Sequence, residues 1–229
     1  MNKVSFIKLS LLLSTVYATL YAERESFNFG KTTLVFVNDV KAFEPSTFVS
    51  AEELGKLGLA APSKTTLVKA GGFNGAVFAQ AGEETLTKEC ENAVTANDGK
   101  EYSIGSAVTV DSCDLKAKGF ANIIFVPGPH REYYPHETEA AQDAHLRACY
   151  IAMLTAAHKS HLQGIVTVPF GTGIAGYNHE CSALQMAQAI EQSPSYEGNM
   201  YVVYSKPEDM ATAVAADKAF RAKSSQPAV

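Results

Sequence analysis

"QGIVTVPFGTGIAGYN", Gln163 to Asn178, joins a short apolar run to three glycines spaced G-x-G-x-x-G: Gly171, Gly173 and Gly176. The apolar run reads as a buried strand stopped by Pro169, because β-branched residues bounded by Gly and Pro favour strands. The stretch beyond it is amphipathic, and Asn178 suits the N-cap of a following helix. The glycines therefore sit where a strand turns into a helix, and backbone N–H groups at such a turn favour an anion. A dinucleotide fold would need this pattern early in a βαβ unit, with an acidic residue closing the next strand. Here the pattern is late, and the one strand that follows, "MYVVYS" (Met200 to Ser205), leads to Lys206 before any acid.

Working outward, "KTTLVFVND" (Lys31 to Asp39) is β-rich, and "KTTLVKAGG" (Lys64 to Gly72) repeats its rhythm as a second expected strand. Ala76 to Thr95 is rich in good helix formers and predicts one helix. "ANIIFVPGP" (Ala121 to Pro129) predicts a buried strand stopped by Pro127 and Pro129. Glu139 to His161 reads as a long helix with Gly164 as its stop. Apolar strands alternating with helices predict an α/β sandwich with its sheet covered on both faces. In such sheets ligands bind at the carboxyl ends of strands. "VND", "KAGGFNG" and "PFGTGIAGYN" all occupy such positions and predict one crevice.

The chain has 229 residues, 46% hydrophobic and 19% charged, with a net charge of −5. That length holds one well-cored domain, placed at residues 23–210, with 211–229 read as a helix end and flexible tail, including "AKSSQPAV". The acidic balance argues against nucleic acid and acidic membranes as partners. Any bound anion must be held by local geometry. Residues 1–22 combine Lys3 and Lys8 with the apolar "LSLLLSTVYATLYA", which reads as a signal peptide cleaved after Ala18 or Ala22. The mature protein is then expected to be exported, periplasmic or secreted, monomeric and free of the membrane. Cys90, Cys113, Cys149 and Cys181 are scattered without a C-x-x-C, so no metal site is assigned and disulfide pairing stays open. "HREYYPHETE" (His130 to Glu139) reads as a solvated loop and "NHEC" (Asn178 to Cys181) as a helix cap. Cys181 with His179 is an open alternative as a nucleophile–base pair.

Taken together, these loops resemble the macrodomains, which bind ADP-ribose and related nucleotide metabolites. The resemblance rests on "NIIFVPGP", "LRACYIAMLTAAHKSHLQGIVTVPFGTGIAGY" and "GGFNGAVFAQAGEETLTKEC", and on "VNDV" in place of the family's G-D-I. It implies a three-layer α/β/α sandwich with a mixed central sheet. It also implies a ligand site. Asp39 would accept a hydrogen bond from the adenine amino group, and the Val40 backbone would fix the ring edge. Gly72, Phe73, Asn74 and Gly75 would flank the diphosphate and proximal ribose. Gly171, Thr172, Gly173, Ile174, Ala175 and Gly176 would cradle the diphosphate, with Tyr177 in the wall.

Departures from the family pattern bear on chemistry. Hydrolytic members carry N-A-A-N after the second of these strands. "LVKAGG" stands there with Lys69 at the first Asn, or, in another register, "LAAPS", again without an Asn. Asn74 occupies the place of the Asp proposed to activate water, Phe78 that of a helix His, and Ala175 that of an aromatic over the distal ribose. The expectation is an ADP-ribose-binding protein, possessing at most weak ADP-ribosyl hydrolase activity centred on Asn74 and needing no cofactor. ADP-ribose or an ADP-ribosylated protein is the expected partner. The alternative is an interaction module that kept the fold and lost the nucleotide.

Overall fold

The computed structural model describes residues 23–38 and 41–224. Seven strands form one sheet: β1 (Glu23–Phe29), β2 (Thr32–Asn38), β3 (Leu57–Ser63), β4 (Val108–Asp111), β5 (Phe120–Pro127), β6 (Gly164–Thr167) and β7 (Gly198–Tyr204). Their spatial order is β1-β2-β7-β6-β3-β5-β4. The five inner strands run parallel, while β1 and β4 pair antiparallel at the two edges. Among the described residues the α-helices are α1 (Gly72–Ala81), α2 (Glu83–Ala96), α3 (Glu139–Lys159), α4 (His179–Glu191) and α5 (Pro207–Ser224).

Side chains alternate across each strand, and both faces of this sheet are covered. On one face Leu34, Phe36, Ile124, Val126, Met200 and Val202 pack against α3, α4 and α5. On the other, Val35, Val37, Leu59, Ile123, Phe125 and Val203 pack against α1, α2 and the segment that carries Phe48. The result is the three-layer α/β/α sandwich with a mixed sheet that the sequence led us to expect. Among the described residues no helix is long and apolar enough to cross a membrane.

Four local expectations are corrected. "KTTLVKAGG" is not a strand: β3 lies just upstream in "LGLAAPS", where small residues fit between β5 and β6. A Cβ on Gly58 would stand 2.5 Å from Leu162 Cδ1, so a larger residue there would have to displace the Leu162 side chain. Lys64 to Leu67 instead forms a turn, with Leu67 fully buried at a left-handed φ of 57°. The single helix expected over 76–95 is two helices, broken at Gly82. Gly82 has φ 84°, and a Cβ there would meet Asp114 Oδ2 at 2.7 Å.

Gly164 does not stop α3. That helix ends at Lys159 with Ser160 as its C-cap, His161 is left-handed at φ 53°, and Gly164 opens β6 against Leu57. Finally, Ala222, Lys223 and Ser224, read as tail, are helical. Arg221 anchors this end of α5 by donating to the Asn28 carbonyl at 3.0 Å and by stacking 3.8 Å from the Phe29 ring centroid. The proposed leader and residues 225–229 lie outside the described residues.

Candidate functional site

The carboxyl ends of β2, β3, β5, β6 and β7 form one edge of the sheet, and the glycine loop leaves that edge from β6. Its entry is pinned from inside the core. The Tyr150 hydroxyl accepts from the Phe170 N–H at 2.8 Å and bonds the Ser182 hydroxyl at 2.7 Å. Ser182 in turn donates to the Phe170 carbonyl at 2.9 Å. The Tyr150 and Phe170 rings stack 4.9 Å apart. Burial holds the Tyr150 phenol well above the usual tyrosine range, so it stays neutral and able to donate.

Within the loop, Gly171 and Gly176 adopt φ values of +80° and +82°, open chiefly to glycine. A Cβ on Gly171 would stand 2.7 Å from the Tyr177 ring. Tyr177 N–H donates to Gly171 O and Gly176 N–H to Gly173 O, which curls the segment on itself. The N–H groups of Thr172, Gly173, Ile174 and Ala175 meet no protein acceptor among the described residues. Ile174 is 91% exposed, so its side chain leaves the loop rather than filling it. Successive unpartnered amides of this kind form an anion-binding concavity.

Tyr177 is buried and donates to the Gln142 carbonyl at 2.9 Å. The helix that follows the loop is capped by Asn178, whose side chain accepts from Cys181 N–H. This matches the N-cap expected from sequence.

The second glycine segment opens α1 directly after the Leu67 turn. Gly72 is left-handed at φ +62°, and Gly75 lies so close to Ala70 that a Cβ would meet its carbonyl oxygen at 2.5 Å. Phe73 stacks on Phe43, with ring centroids 5.4 Å apart. Asn74 is 3% exposed, and its amide is fully engaged. Its Oδ1 accepts from Ala70 N–H at 2.7 Å and its Nδ2 donates to Pro62 O at 3.1 Å. It therefore braces the loop against β3. Asp39 and Val40 lie outside the described residues. They are bracketed by Asn38, the last residue of β2, and by Lys41.

The strand carrying "LAAPS" is β3, and Ser63 ends that strand. Lys69 belongs to the loop beyond, paired with Glu83 at 2.5 Å. Cys181 and His179 do not form a nucleophile–base pair. The Cys181 thiol donates to Asp143 at 3.2 Å, while His179 pairs with Asp209 at 3.4 Å. Burial, together with that carboxylate, pushes the Cys181 thiol up to about 12, which removes its thiolate at neutral pH. All four cysteines are free, and Cys90 and Cys149 are buried as small core residues.

The sequence comparison decides the family. The macro domain family model matches residues 61–186, more than half of the chain. The chain belongs to the macro domain family. No curated protein sequence matches it. Among solved structures, this macrodomain is similar to the Oceanobacillus iheyensis macrodomain with ADP, at 21% identity and TM-score 0.72. That likeness covers 89% of this chain and 99% of the other. The Trypanosoma brucei macrodomain in complex with ADP-ribose is 18% identical with TM-score 0.56, over 73% of this chain and 64% of that one. At these identities the likeness shows the fold.

Three residues that shape this macrodomain's cleft were not singled out from sequence. Phe43 is one, since only folding brings it to Phe73. Tyr150 is another; it lies within the quoted "LRACYIAML" stretch, but its bond to the loop is long-range. Arg131 is the third, inside a stretch whose polarity hides it. Its backbone N–H donates to Ala175 O at 3.0 Å.

Proposed function

We propose that this macrodomain binds ADP-ribose at the carboxyl edge of its sheet. The observation that carries the reading is the run of four unpartnered amides, Thr172 to Ala175, held between two left-handed glycines. A diphosphate is the natural occupant: the net charge of −5 offers no general attraction for anions, so directed N–H donors must supply it. The stacked Phe43 and Phe73 give an apolar shoulder against which the adenine would lie. Solved macrodomains bearing ADP or ADP-ribose support the ligand class.

Hydrolysis by this protein is slow or absent. A general base needs a lone pair basic near the working pH, which a carboxamide lacks, and the Asn74 amide is already bonded at both ends. We further propose that the protein is exported after loss of residues 1–22. A mature start at Glu23 would keep all of β1 in place, and intact mass of exported material checks it.

Calorimetric titration with ADP-ribose tests the binding reading. The parent should bind, and Asp39→Ala should weaken binding roughly 10- to 150-fold, the worth of one charge-assisted hydrogen bond. No heat from the parent at any ligand concentration would leave a macro fold that has lost its nucleotide.

A further inference from the structure

The glycine loop is held at two ends, and the second anchor is an arginine that family resemblance does not assign. We propose that Arg131 is the positioning residue of the nucleotide cleft, fixing the closing half of the glycine loop so that its outward amides meet a diphosphate. This rests on the ADP-ribose reading above.

Three contacts join Arg131 to the loop. Its backbone N–H takes the Ala175 carbonyl at 3.0 Å. Its guanidinium carbon lies 4.6 Å from the Tyr177 ring centroid, a cation–π distance. Its Cβ backs Gly176, where a glycine Cβ would sit 3.7 Å away. The guanidinium is itself fixed by α3 and α4. It bonds Asp143 at 2.8 Å and Glu139 at 3.2 Å, and contacts the Cys181 sulfur at 3.8 Å. Only 24% of the Arg131 side chain is exposed.

These contacts matter because the loop's own backbone ties are two bonds, from Tyr177 N–H to Gly171 O and from Gly176 N–H to Gly173 O. Gly171, Gly173 and Gly176 give it three freely rotating joints, and each glycine costs more entropy to order than any other residue. Tyr150 and Ser182 settle the entry, whereas Arg131 settles the exit. Its charge is already answered by Asp143 and Glu139, so its effect on a phosphate runs through loop geometry rather than attraction. Lysine cannot replace it fully, because a point charge cannot both stack on Tyr177 and fork between two carboxylates.

The test compares ADP-ribose, which carries the diphosphate, with adenosine, which lacks it, on the parent, Arg131→Ala and Arg131→Lys. Both variants keep the backbone bond to Ala175 and the Cβ beside Gly176, so Arg131→Ala removes the Tyr177 contact and the carboxylate anchors. That loss should weaken ADP-ribose about tenfold and leave adenosine unchanged. Arg131→Lys, which keeps the Asp143 pair, should fall between. Equal weakening of both ligands, or ADP-ribose affinity equal to the parent's, overturns the proposal. Should Arg131→Ala not fold, Arg131→Lys decides by the same comparison. A parent that binds neither ligand overturns the underlying nucleotide reading instead, and that outcome shows before any variant is made.

Discussion

From the sequence resemblance Asn74 was expected at the place of a water-activating acid, and its two bonds explain what the amide does in the fold. It ties Ala70 N–H and Pro62 O, groups on either side of the Leu67 turn. Asn74→Ala would take this partner from two partly buried main-chain groups, so unfolding free energy should fall by about 0.5–1.5 kcal/mol. Asn74→Asp keeps the acceptor for Ala70 but sets a carboxylate oxygen against the Pro62 carbonyl. It should therefore destabilise too, and urea unfolding of both variants checks the pair. The sequence showed that Asn74 stands in the motif. It could not show the partners, because Pro62 lies beyond a turn whose register is set by tertiary packing. For the same reason Lys69 looked like a strand-end residue, although it faces Glu83 in a loop.

At the scale of elements, the glycine loop and the strands around it were the most legible features. Pro169, the glycine spacing and Asn178 each act through local backbone chemistry, and all three behave in the fold as that chemistry requires. The helix over 76–95 was misjudged at one point because Gly82 reads as a tolerated interior glycine. The break shows only in the fold, where Gly82 takes a left-handed φ of 84° between the two helices. Strands β1 and β4 escaped notice because they are edge strands of mixed polarity.

The three loop glycines make different demands. Gly171→Ala combines a left-handed φ with a clash against Tyr177, so it should displace the loop and lower both ADP-ribose affinity and thermal stability. Gly173 has no positive φ, and no atom lies within 4 Å of its added Cβ. Gly173→Ala should keep the parent's melting temperature. Parallel thermal melts of the two variants separate a structural glycine from one that merely permits access.

Across the whole molecule, two clusters of core residues grip the sheet from opposite faces, and polar ties fasten loops to its ends. One such tie depends on pH. Burial alone would raise the Glu53 carboxyl, but donors from Asn199, Ser50 and Tyr201 outweigh it and hold the carboxyl below its ordinary value of 4.5. A lowered folded pKa contributes stability above 4.5, and that stability is lost as pH falls through the folded value. Glu53→Gln should thus narrow the difference in urea midpoint between pH 6 and pH 3, relative to the parent. An unchanged difference would place the acid sensitivity elsewhere.

Fold class was legible because strand and helix periodicities cover most of the chain. The site was legible as loops but not as contacts, since Phe43, Arg131 and Tyr150 act across long stretches of sequence. The central claim is that a nucleotide diphosphate sits on the glycine-loop amides. Backbone amide resonances followed during titration with ADP-ribose test it most directly. The largest shifts are predicted at Thr172 to Ala175 and at Gly72 to Gly75. Saturating ligand that moves none of these signals, or shifts confined to the cavity between the Gly30 turn and the end of α5, would contradict the account.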